Sequence, residues 1–274
     1  MSFDDEIKQG ERFDFGKNWE FFLEKFSEEQ LIEAEKSLQN FLEIENLKDL
    51  SFIDVGSGSG LMSLAAKRLG AIVYSFDYDP SSVWCTEQLR SKYNYNHSDW
   101  TIEEGSILDD DYVSKLSKFD IVYSWGVLHH TGNLEKSLEN ISRLTKLEGK
   151  LFIAIYNDQG KMSDIWRKIK RFYCESPLII KKMLVYLIGC TVWGARFFID
   201  FIRLKPFESW KNYHKNKRGM SPWSNIIDWV GGYPFEVAKP ELIFDFFKNK
   251  GFTLCKIKTV GGRLDNNQYV FRYK

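Results

Sequence analysis

Three glycines within five positions, directly after a short apolar run, constrain this chain more than any other feature. The stretch from Phe52 to Gly60 reads F-I-D-V-G-S-G-S-G, with Asp54 two residues before the first glycine. A glycine-rich turn that leaves a strand lets the backbone approach a ligand closely. Dinucleotide-binding turns have the spacing G-x-G-x-x-G, whereas here the third glycine comes one residue early. The turn therefore predicts a ligand site at the end of a strand, without the dinucleotide fingerprint.

Short apolar runs alternate with segments of helical periodicity along most of the chain. The predicted strands are 51–55, 71–76, 100–105, 119–125, 151–156, 253–260 and 266–273, and the predicted helices are 19–45, 60–69, 81–92, 134–145 and 240–250. Apolar strands that alternate with helices indicate βαβ units and a parallel sheet covered on both faces. We expect an α/β fold with a doubly wound seven-stranded sheet.

The alternation stops after the fifth strand and resumes near residue 240. The chain is therefore predicted to have four parts. These are an N-terminal helical arm or lid at 1–45, a ligand-binding core at 46–157, a long helical and aromatic insertion at 158–238, and a last helix with the final two strands at 239–274.

Charge and cysteine usage exclude several classes of protein. Lys and Arg number 38 and Asp and Glu also number 38, so the basic excess expected of a nucleic-acid binder is missing. The four cysteines are far apart and form no C-x-x-C pair, which predicts neither a metal site nor a disulfide framework. With no apolar secretory region near residue 1, a cytoplasmic location is expected.

Two acids indicate the chemistry of the ligand. Asp54 beside the turn would repel a pyrophosphate but suits an ammonium group, which S-adenosylmethionine carries together with a sulfonium. Asp77 ends the second strand, where a carboxylate can accept from both hydroxyls of a ribose. The alternative is that Asp54 caps a turn and that Asp77 or Asp79 caps the next helix. Asp79 fits the helix start D-P-S-S, so the ligand contacts are assigned to Asp54 and Asp77.

Residues 50–157 resemble the core of the class I S-adenosylmethionine-dependent methyltransferases. The resemblance lies in D-V-G-S-G-S-G, F-D-Y-D, E-G-S-I-L-D, F-D-I-V-Y-S-W-G-V-L-H-H and L-F-I-A-I-Y, and it is nearest to small-molecule O-methyltransferases of the ubiquinone-pathway type. It implies a Rossmann-like fold with S-adenosylmethionine as cofactor. The cofactor-binding residues implied are Asp54, Gly56, Ser57, Gly58, Gly60, Asp77, Tyr78, Ser106, Ile107, Ser124 and Trp125. Many relatives have an aspartate where Ser106 stands.

The resemblance also implies a catalytic base. The relatives carry an L-x-H motif after the fourth strand, and Leu128, His129 and His130 match it. A hydroxyl acceptor needs a base near neutral pH, which a histidine can supply. The candidate catalytic residues are therefore His130 and His129. The match points to His130 as the base, with His129 more readily packed or in contact with the cofactor. The alternative is that either histidine only bonds backbone at a loop start.

The arm and the insertion are the candidate acceptor-binding parts. F-G-K-N-W at 15–19, with Asn18 and Trp19, is a predicted lid, and its alternative is a hydrophobic staple for the first helix. Arg218 and Trp223 in the insertion, with Tyr156 before it, suit an anionic acceptor such as a carboxylate, a phosphate or a lipid-linked pyrophosphate. The alternative there is a solvated basic loop over an aromatic core.

Residues 164–204 combine a basic amphipathic segment with a long apolar one. The longest uncharged run, from Met183 to Ala195, has 13 residues, whereas a bilayer span needs about 20. The segment is therefore predicted not to span a membrane. A cap over the pocket, a homodimer face and peripheral membrane contact remain as alternatives.

The function predicted is methyl transfer from S-adenosylmethionine to a small molecule, at a hydroxyl. Quinone precursors, sugars or lipid-linked glycans, and specialised metabolites are the acceptor classes left open. Two alternatives belong to other classes of protein: a non-catalytic subunit with the same fold that binds a partner or a membrane, and an NAD-dependent oxidoreductase.

Overall fold

A computed structural model describes residues 3–24, 26–211, 222–263 and 265–274. The chain begins with three helices, α1 (Phe3–Lys8), α2 (Gly16–Glu24) and α3 (Glu28–Leu42). The prediction of one helix over 19–45 was wrong, because a new helix begins after Ser27. The Ser27 hydroxyl accepts from the backbone N–H of Gln30, and the Gln30 side chain accepts from the backbone N–H of Ser27. This capping box satisfies N–H groups that have no partner within the helix.

Seven strands form one sheet in the order β3-β2-β1-β4-β5-β7-β6. They are β1 (Ser51–Val55), β2 (Ile72–Asp77), β3 (Trp100–Glu104), β4 (Phe119–Trp125), β5 (Thr145–Tyr156), β6 (Phe252–Lys258) and β7 (Asn266–Tyr273). Strands β1 to β5 pair in parallel, and β7 runs antiparallel to both β5 and β6. The strand order reverses between β1 and β4, which opens a crevice at their carboxyl ends. The predicted doubly wound fold is confirmed.

The remaining helices divide between the core and the insertion. In chain order they are α4 (Leu61–Arg68), α5 (Pro80–Lys92), α6 (Asp110–Lys115), α7 (Leu134–Arg143), α8 (Lys161–Glu175), α9 (Leu178–Ile202), α10 (Glu208–Lys211), α11 (Pro222–Gly231) and α12 (Pro240–Asn249). Helices α8 to α11 lie in the predicted insertion.

Both faces of the sheet are covered, and this explains why the central strands are apolar at successive positions. Phe52 in β1 packs in a cluster with residues of α3, α4 and α5. Its neighbour Ile53 packs in a second cluster with residues of α6, α7 and α12. Successive side chains of a strand point to opposite faces, so a strand buried on both sides needs an apolar residue at each position.

The insertion has its own apolar cluster and is attached beside the end of β5. Tyr173 of α8, Val185 and Trp193 of α9 and Ile226 of α11 are buried together. A parallel bridge pairs Asn157 with Ala238 where the insertion leaves and returns.

Helix α9 is much longer than the uncharged run from Met183 to Ala195. It has 25 residues, and by length and composition it is long and apolar enough to cross a membrane. The prediction that the segment is too short was therefore wrong, because charged residues near the ends of the helix do not end it. Only 17% of its most apolar stretch is buried.

Candidate active site

A cavity of about 1110 Å³ lies where the strand order reverses. Its walls come from the carboxyl ends of β1, β2, β4 and β5, from the N-terminal arm and from α9 and α11. Of the predicted site residues, its lining includes Trp19, Asp54, Gly56, Ser57, Gly58, Asp77, Tyr78, Ser106, Ile107, Trp125, His130 and Tyr156. Asn18, Gly60, Ser124, His129 and Trp223 are not in that wall as far as the chain is described. Arg218 lies outside the described residues.

The three glycines of the turn all have a left-handed backbone. Their φ angles are +79° at Gly56, +54° at Gly58 and +79° at Gly60, a region that glycine enters without strain. Their nearest neighbours are other parts of the protein. A Cβ on Gly56 would stand 2.4 Å from Val127, and one on Gly60 would stand 2.8 Å from the backbone of Thr86 in α5. The turn therefore needs glycine for its own packing as well as for any ligand.

Asp54 is buried under the turn at the end of a chain of hydroxyl groups. The Ser63 hydroxyl donates to Oδ2 of Asp54 at 2.5 Å. Ser63 in turn accepts from the Ser75 hydroxyl, which accepts from the indole N–H of Trp100, each at 2.8 Å. Burial raises the pKa of Asp54 to about 7, and the nearby charge of Asp77 adds to this, while the Ser63 hydrogen bond opposes it. A positively charged ligand group in the cavity would favour the ionised carboxylate.

Asp77 stands at the end of β2 with its carboxylate at the cavity wall. Oδ2 accepts from the backbone N–H of Gly58 at 2.9 Å, and Oδ1 accepts from that of Asp79 at 3.0 Å. Burial raises the pKa of Asp77, and the three backbone N–H groups around it lower it. Each carboxylate oxygen has two acceptor sites, so both can accept a further hydrogen bond. Asp77 can therefore bind the two hydroxyls of a ribose.

Asp79 begins α5, as the sequence analysis predicted. Its carboxylate accepts from the backbone N–H of Ser81 at 2.9 Å, and Pro80 takes the first helical position. It also accepts from the backbone N–H of Gly16 at 2.7 Å and so fastens the N-terminal arm to the core. Burial raises the pKa of Asp79 to about 7, and the charge of Asp77 adds to this.

The opposite wall fits the base and the body of a nucleoside. Ser106 and Ile107 follow β3 at the lining, and the Ile107 carbonyl is held by the amide of Asn140 at 2.8 Å. Gly126 also lines the cavity, and no atom lies within 4 Å of the position that its Cβ would take. Ser124 points away, because its hydroxyl donates to the Val55 carbonyl at 2.9 Å. The residues present therefore fit S-adenosylmethionine, for which Asp77 could hold the ribose and Asp54 the amino-acid end.

His130 reaches the cavity in one defined tautomer. Its Nδ1 lies 2.7 Å from the carbonyl oxygen of Pro234, which can only accept, so Nδ1 carries the proton and Nε2 the lone pair. Burial lowers the pKa of His130 to about 3, and the charges of Lys170 and Arg12 lower it further against the effect of the carbonyl. The imidazole is therefore neutral at physiological pH and able to accept a hydrogen bond.

His129 is packed, as one of the two alternatives held. Its side chain is fully buried against Tyr156, with the ring centroids 4.0 Å apart. Its Nδ1 accepts from the backbone N–H of Tyr156 at 3.4 Å. Burial lowers the pKa of His129 well below the ordinary value, and the neighbouring His130 and Lys170 contribute.

The N-terminal arm covers the cavity. The Arg12 guanidinium donates to the His130 carbonyl at 2.9 Å and lies 5.1 Å from the ring centroid of Tyr78. Phe15 packs on the ring of His130, with centroids 5.0 Å apart, and the indole of Trp19 lies against Gly58. Arg12 was not predicted from the sequence, because no local motif marks it and the His130 carbonyl to which it donates is more than a hundred residues away.

The end of the cavity near β5 is aromatic and holds one acid. Tyr156, Trp166 and Trp229 line it, with the rings of Tyr156 and Trp229 at 89° to each other. Asp228 also lines it and accepts a hydrogen bond from the side-chain amide of Asn18, which joins the arm to α11. Burial raises the pKa of Asp228 to about 7, against the effects of Asn18 and Lys170.

Lys170 is a fully buried cation behind this aromatic wall. Its ammonium donates to the Trp229 carbonyl and lies 4.5 Å and 4.9 Å from the ring centroids of Trp229 and Phe235. Burial lowers the pKa of Lys170 to about 7, while Cys174 and Asp228 act to raise it. Neither Lys170 nor Asp228 was predicted from the sequence as a residue of the site. The one available signal was a single acid within the apolar run N-I-I-D-W-V.

A family profile described as "Methyltransferase domain" matches residues 46–215, which is more than half of the chain. The chain belongs to this methyltransferase family. A Coxiella burnetii protein named "Ubiquinone biosynthesis O-methyltransferase" is 34% identical over 119 residues, covering 42% of this chain and 47% of that protein. The protein of the same name from Pelagibacter ubique is 28% identical over 111 residues, covering 40% and 44%. The chain thus spans less than half the length of these relatives.

Two solved structures show the same fold. Magnesium protoporphyrin IX methyltransferase from Synechocystis, crystallised with bound S-adenosylhomocysteine, superposes with a TM-score of 0.52 at 15% identity, over 89% of this chain and 83% of that one. PKMT2 from Rickettsia typhi superposes with a TM-score of 0.55 at 14% identity, over 84% and 50%. Membership of the class I S-adenosylmethionine-dependent methyltransferases is confirmed, with S-adenosylmethionine as the cofactor. This favours a methyltransferase over the oxidoreductase and over the non-catalytic subunit.

Proposed function

We propose that this methyltransferase modifies a hydroxyl group of a small aromatic or otherwise apolar molecule. The observation that carries the proposal is the tautomer of His130, whose Nε2 lone pair belongs to a neutral ring at the cavity wall. S-adenosylmethionine supplies a methyl group that is electrophilic because it is bonded to a sulfonium. The relatives named as O-methyltransferases in ubiquinone biosynthesis support an oxygen acceptor.

His130 would accept the hydrogen bond of the acceptor hydroxyl and take its proton. The oxygen becomes strongly acidic as its bond to the methyl carbon forms, so a weak base can take the proton at that stage. The hydrogen bond from Nδ1 to Pro234 holds the ring in place, and Phe15 and Tyr156 pack on it at centroid distances of 5.0 Å and 5.4 Å. The rigid ring orients the hydroxyl, and the arm above it excludes water.

The walls near His130 indicate the shape of the acceptor. Tyr156, Trp166 and Trp229 offer ring faces and edges to a flat apolar body. Asp228 offers a carboxylate that has accepted one hydrogen bond, from Asn18, and can accept others. An aromatic ring with a second hydroxyl, as in a quinone precursor, would use both features. Arg218 stays a prediction for an anionic group, outside the described residues.

The test is a comparison of acceptor classes with purified protein and S-adenosylmethionine labelled in the methyl group. Dihydroxybenzenes with an apolar substituent, the matching anilines and simple sugars are offered at equal concentration, and products are identified by mass spectrometry. O-methylation of the dihydroxybenzenes alone is expected. Labelled anilines without labelled phenols would overturn the oxygen assignment while leaving the methyltransferase activity in place.

We also propose that the protein works in the cytoplasm. All four cysteines are thiols, with Cys85 and Cys174 buried and Cys190 and Cys255 exposed, which suits a reducing compartment. Fractionation of cells that express a tagged chain tests the location, and recovery in an oxidising compartment would contradict it.

A further inference from the structure

Helix α9 exposes an unusually large apolar surface. It runs for 25 residues, and its buried residues are only Val185, Gly189, Trp193 and Asp200. Apolar side chains that are at least 60% exposed occur along its whole length and just beyond it: Leu178, Ile179, Met183, Tyr186, Leu187, Phe198, Phe201, Ile202 and Leu204. A continuous exposed apolar surface of this kind marks an interaction site.

The chain segment that contains α9 is strongly basic. Residues 161–211 contain eleven Lys or Arg and four Asp or Glu, a net charge of +7, although the whole chain is formally neutral. Lys168, Lys182, Arg203 and Lys205 are among the exposed cations. A strongly basic region around an apolar helix suits a partner that has anionic groups at its surface and an apolar interior beneath them.

The cavity extends to this helix. Ile188, Val192 and Arg196, which follow one another at intervals of four along α9, line the same cavity as Asp77 and His130. Residues four apart lie on one face of a helix, so a single stripe of α9 forms the outer wall. Ile188 follows Ile179 by nine residues, about half a turn around the helix, so the side of α9 that closes the cavity faces away from its exposed apolar side.

We propose that α9 rests on an anionic lipid membrane, in the plane of its surface, with its exposed apolar side toward the lipid. The docking is independent of the reaction and of the proposed function. Exposed Ile179 and Phe201 enter the apolar layer, and the cations around them lie at the lipid headgroups.

Two observations favour this orientation over a membrane-spanning helix and over a second copy of the chain. The opposite side of α9 is packed on α11, where a Cβ on Gly189 would stand 3.3 Å from Trp223, and Asp200 accepts from the Ser209 N–H at 2.8 Å. Those contacts hold one side of the helix at the protein. A second copy would bring two regions of charge +7 together, which repel each other.

The experiment is co-sedimentation of the full chain with vesicles of phosphatidylcholine alone, or of phosphatidylcholine with phosphatidylserine in about a third of the lipid. Binding to the anionic vesicles is expected to be about tenfold stronger and to weaken as salt is added. The double variant Ile179→Glu/Phe201→Glu should lose it. Its matched control, Leu147→Glu/Leu242→Glu, changes two apolar residues of similar exposure elsewhere, at 68% and 62%, and should retain it.

A charge variant and two further readouts complete the test. Lys182→Glu/Arg203→Glu should lose the preference for anionic vesicles, whereas Lys115→Glu/Lys248→Glu, also exposed, should keep it. All four variants should bind S-adenosylhomocysteine as the parent does, which separates docking from cofactor binding. Equal sedimentation of the apolar variant and its control would overturn the proposal. So would a dimer in solution that the apolar variant dissociates, because α9 would then be covered by a second copy.

Discussion

The backbone N–H of Gly58 donates to Oδ2 of Asp77 at 2.9 Å, so the glycine turn and the acid at the end of β2 hold each other in place. Gly58 lies in the turn that follows β1, and Asp77 ends the neighbouring parallel strand β2, so the two meet at the carboxyl edge of the sheet. The same carboxylate accepts from Asp79, which in turn accepts from Gly16 of the arm. Asp77 therefore connects the glycine turn to the start of α5. Through Asp79 it is also linked to the N-terminal arm that covers the cavity.

Replacing Asp77 by alanine should weaken the binding of S-adenosylhomocysteine tenfold or more. The ribose hydroxyls would lose their acceptor and the Gly58 N–H would lose its partner, and a tenfold loss corresponds to about 1.4 kcal/mol. Calorimetric titration measures the affinity, and thermal unfolding checks that the variant is folded. Asp245→Ala, which changes an exposed acid on α12, is the control and should bind normally. Unchanged affinity in Asp77→Ala would refute the ribose assignment.

Cofactor affinity should rise with pH through neutrality. The pKa of Asp54 is raised to about 7, so its carboxyl is mostly protonated at pH 6 and mostly ionised at pH 8. The ligand's ammonium stays protonated over this range and binds the ionised form. If only that form is competent, the affinity for S-adenosylhomocysteine should increase about tenfold between these pH values.

Asp54→Asn provides the control for this pH dependence. The amide cannot ionise, so its affinity should be lower at pH 8 and nearly independent of pH. Asp79 has a similarly raised pKa of about 7, and Asp79→Asn should keep a rising profile because Asp54 remains. A flat profile in the parent protein would mean that Asp54 does not sense the ligand's charge.

The sheet and the cofactor end of the site could be predicted because their signals are local. Each buried strand is a short apolar run, and Asp54 and Asp77 stand at fixed places relative to those runs. The break at Ser27 also has a local signal, since S-E-E-Q is a capping box, but the helical periodicity on both sides concealed it. Such elements are specified by residues within a few positions of one another.

The acceptor end could not be predicted in the same way, because it is made by contacts between distant elements. Lys170 of α8 donates to the Trp229 carbonyl of α11, and Asn18 of the arm donates to Asp228. In the sequence Lys170 is one cation among several on a basic amphipathic helix. Only the packing of α8 against α11 shows that its ammonium is buried.

Gly60→Ala should destabilise the protein. A left-handed residue with a side chain costs about 1–2 kcal/mol, and here the new Cβ would also stand 2.8 Å from the Thr86 backbone in α5. Helices α4 and α5 would have to move apart. Thermal or denaturant unfolding should show a lower stability, whereas Gly194→Ala, at a helical position with no atom within 4 Å of the new Cβ, should be neutral or slightly stabilising. Equal stability of the two variants would contradict the packing argument.

Replacing His130 by alanine should leave cofactor binding intact and lower turnover by about a hundredfold, the effect typical of a lost acid–base group. The side chain contacts the acceptor end of the cavity, so calorimetry with S-adenosylhomocysteine should give the parent affinity. Because the pKa of His130 is lowered to about 3, protonation of this ring should not reduce activity between pH 5 and pH 8. Turnover is measured at saturating S-adenosylmethionine, because cofactor affinity itself should change near pH 7 through Asp54. A loss of turnover under that condition, with an apparent pKa near 6.5, would point to a different base.

His97→Ala is the matched control, because His97 is an exposed histidine that does not line the cavity. Its Nε2 lies 3.2 Å from the guanidinium of Arg90, which does not line the cavity either. It should turn over at the parent rate. His130→Gln adds a further distinction, because its amide can accept a hydrogen bond from the acceptor hydroxyl but cannot take its proton. If His130 only positions the hydroxyl, the glutamine variant should recover most of the activity that the alanine variant loses. If His130 takes the proton, both variants should be impaired to a similar degree. Full activity in the alanine variant would remove the histidine from the mechanism.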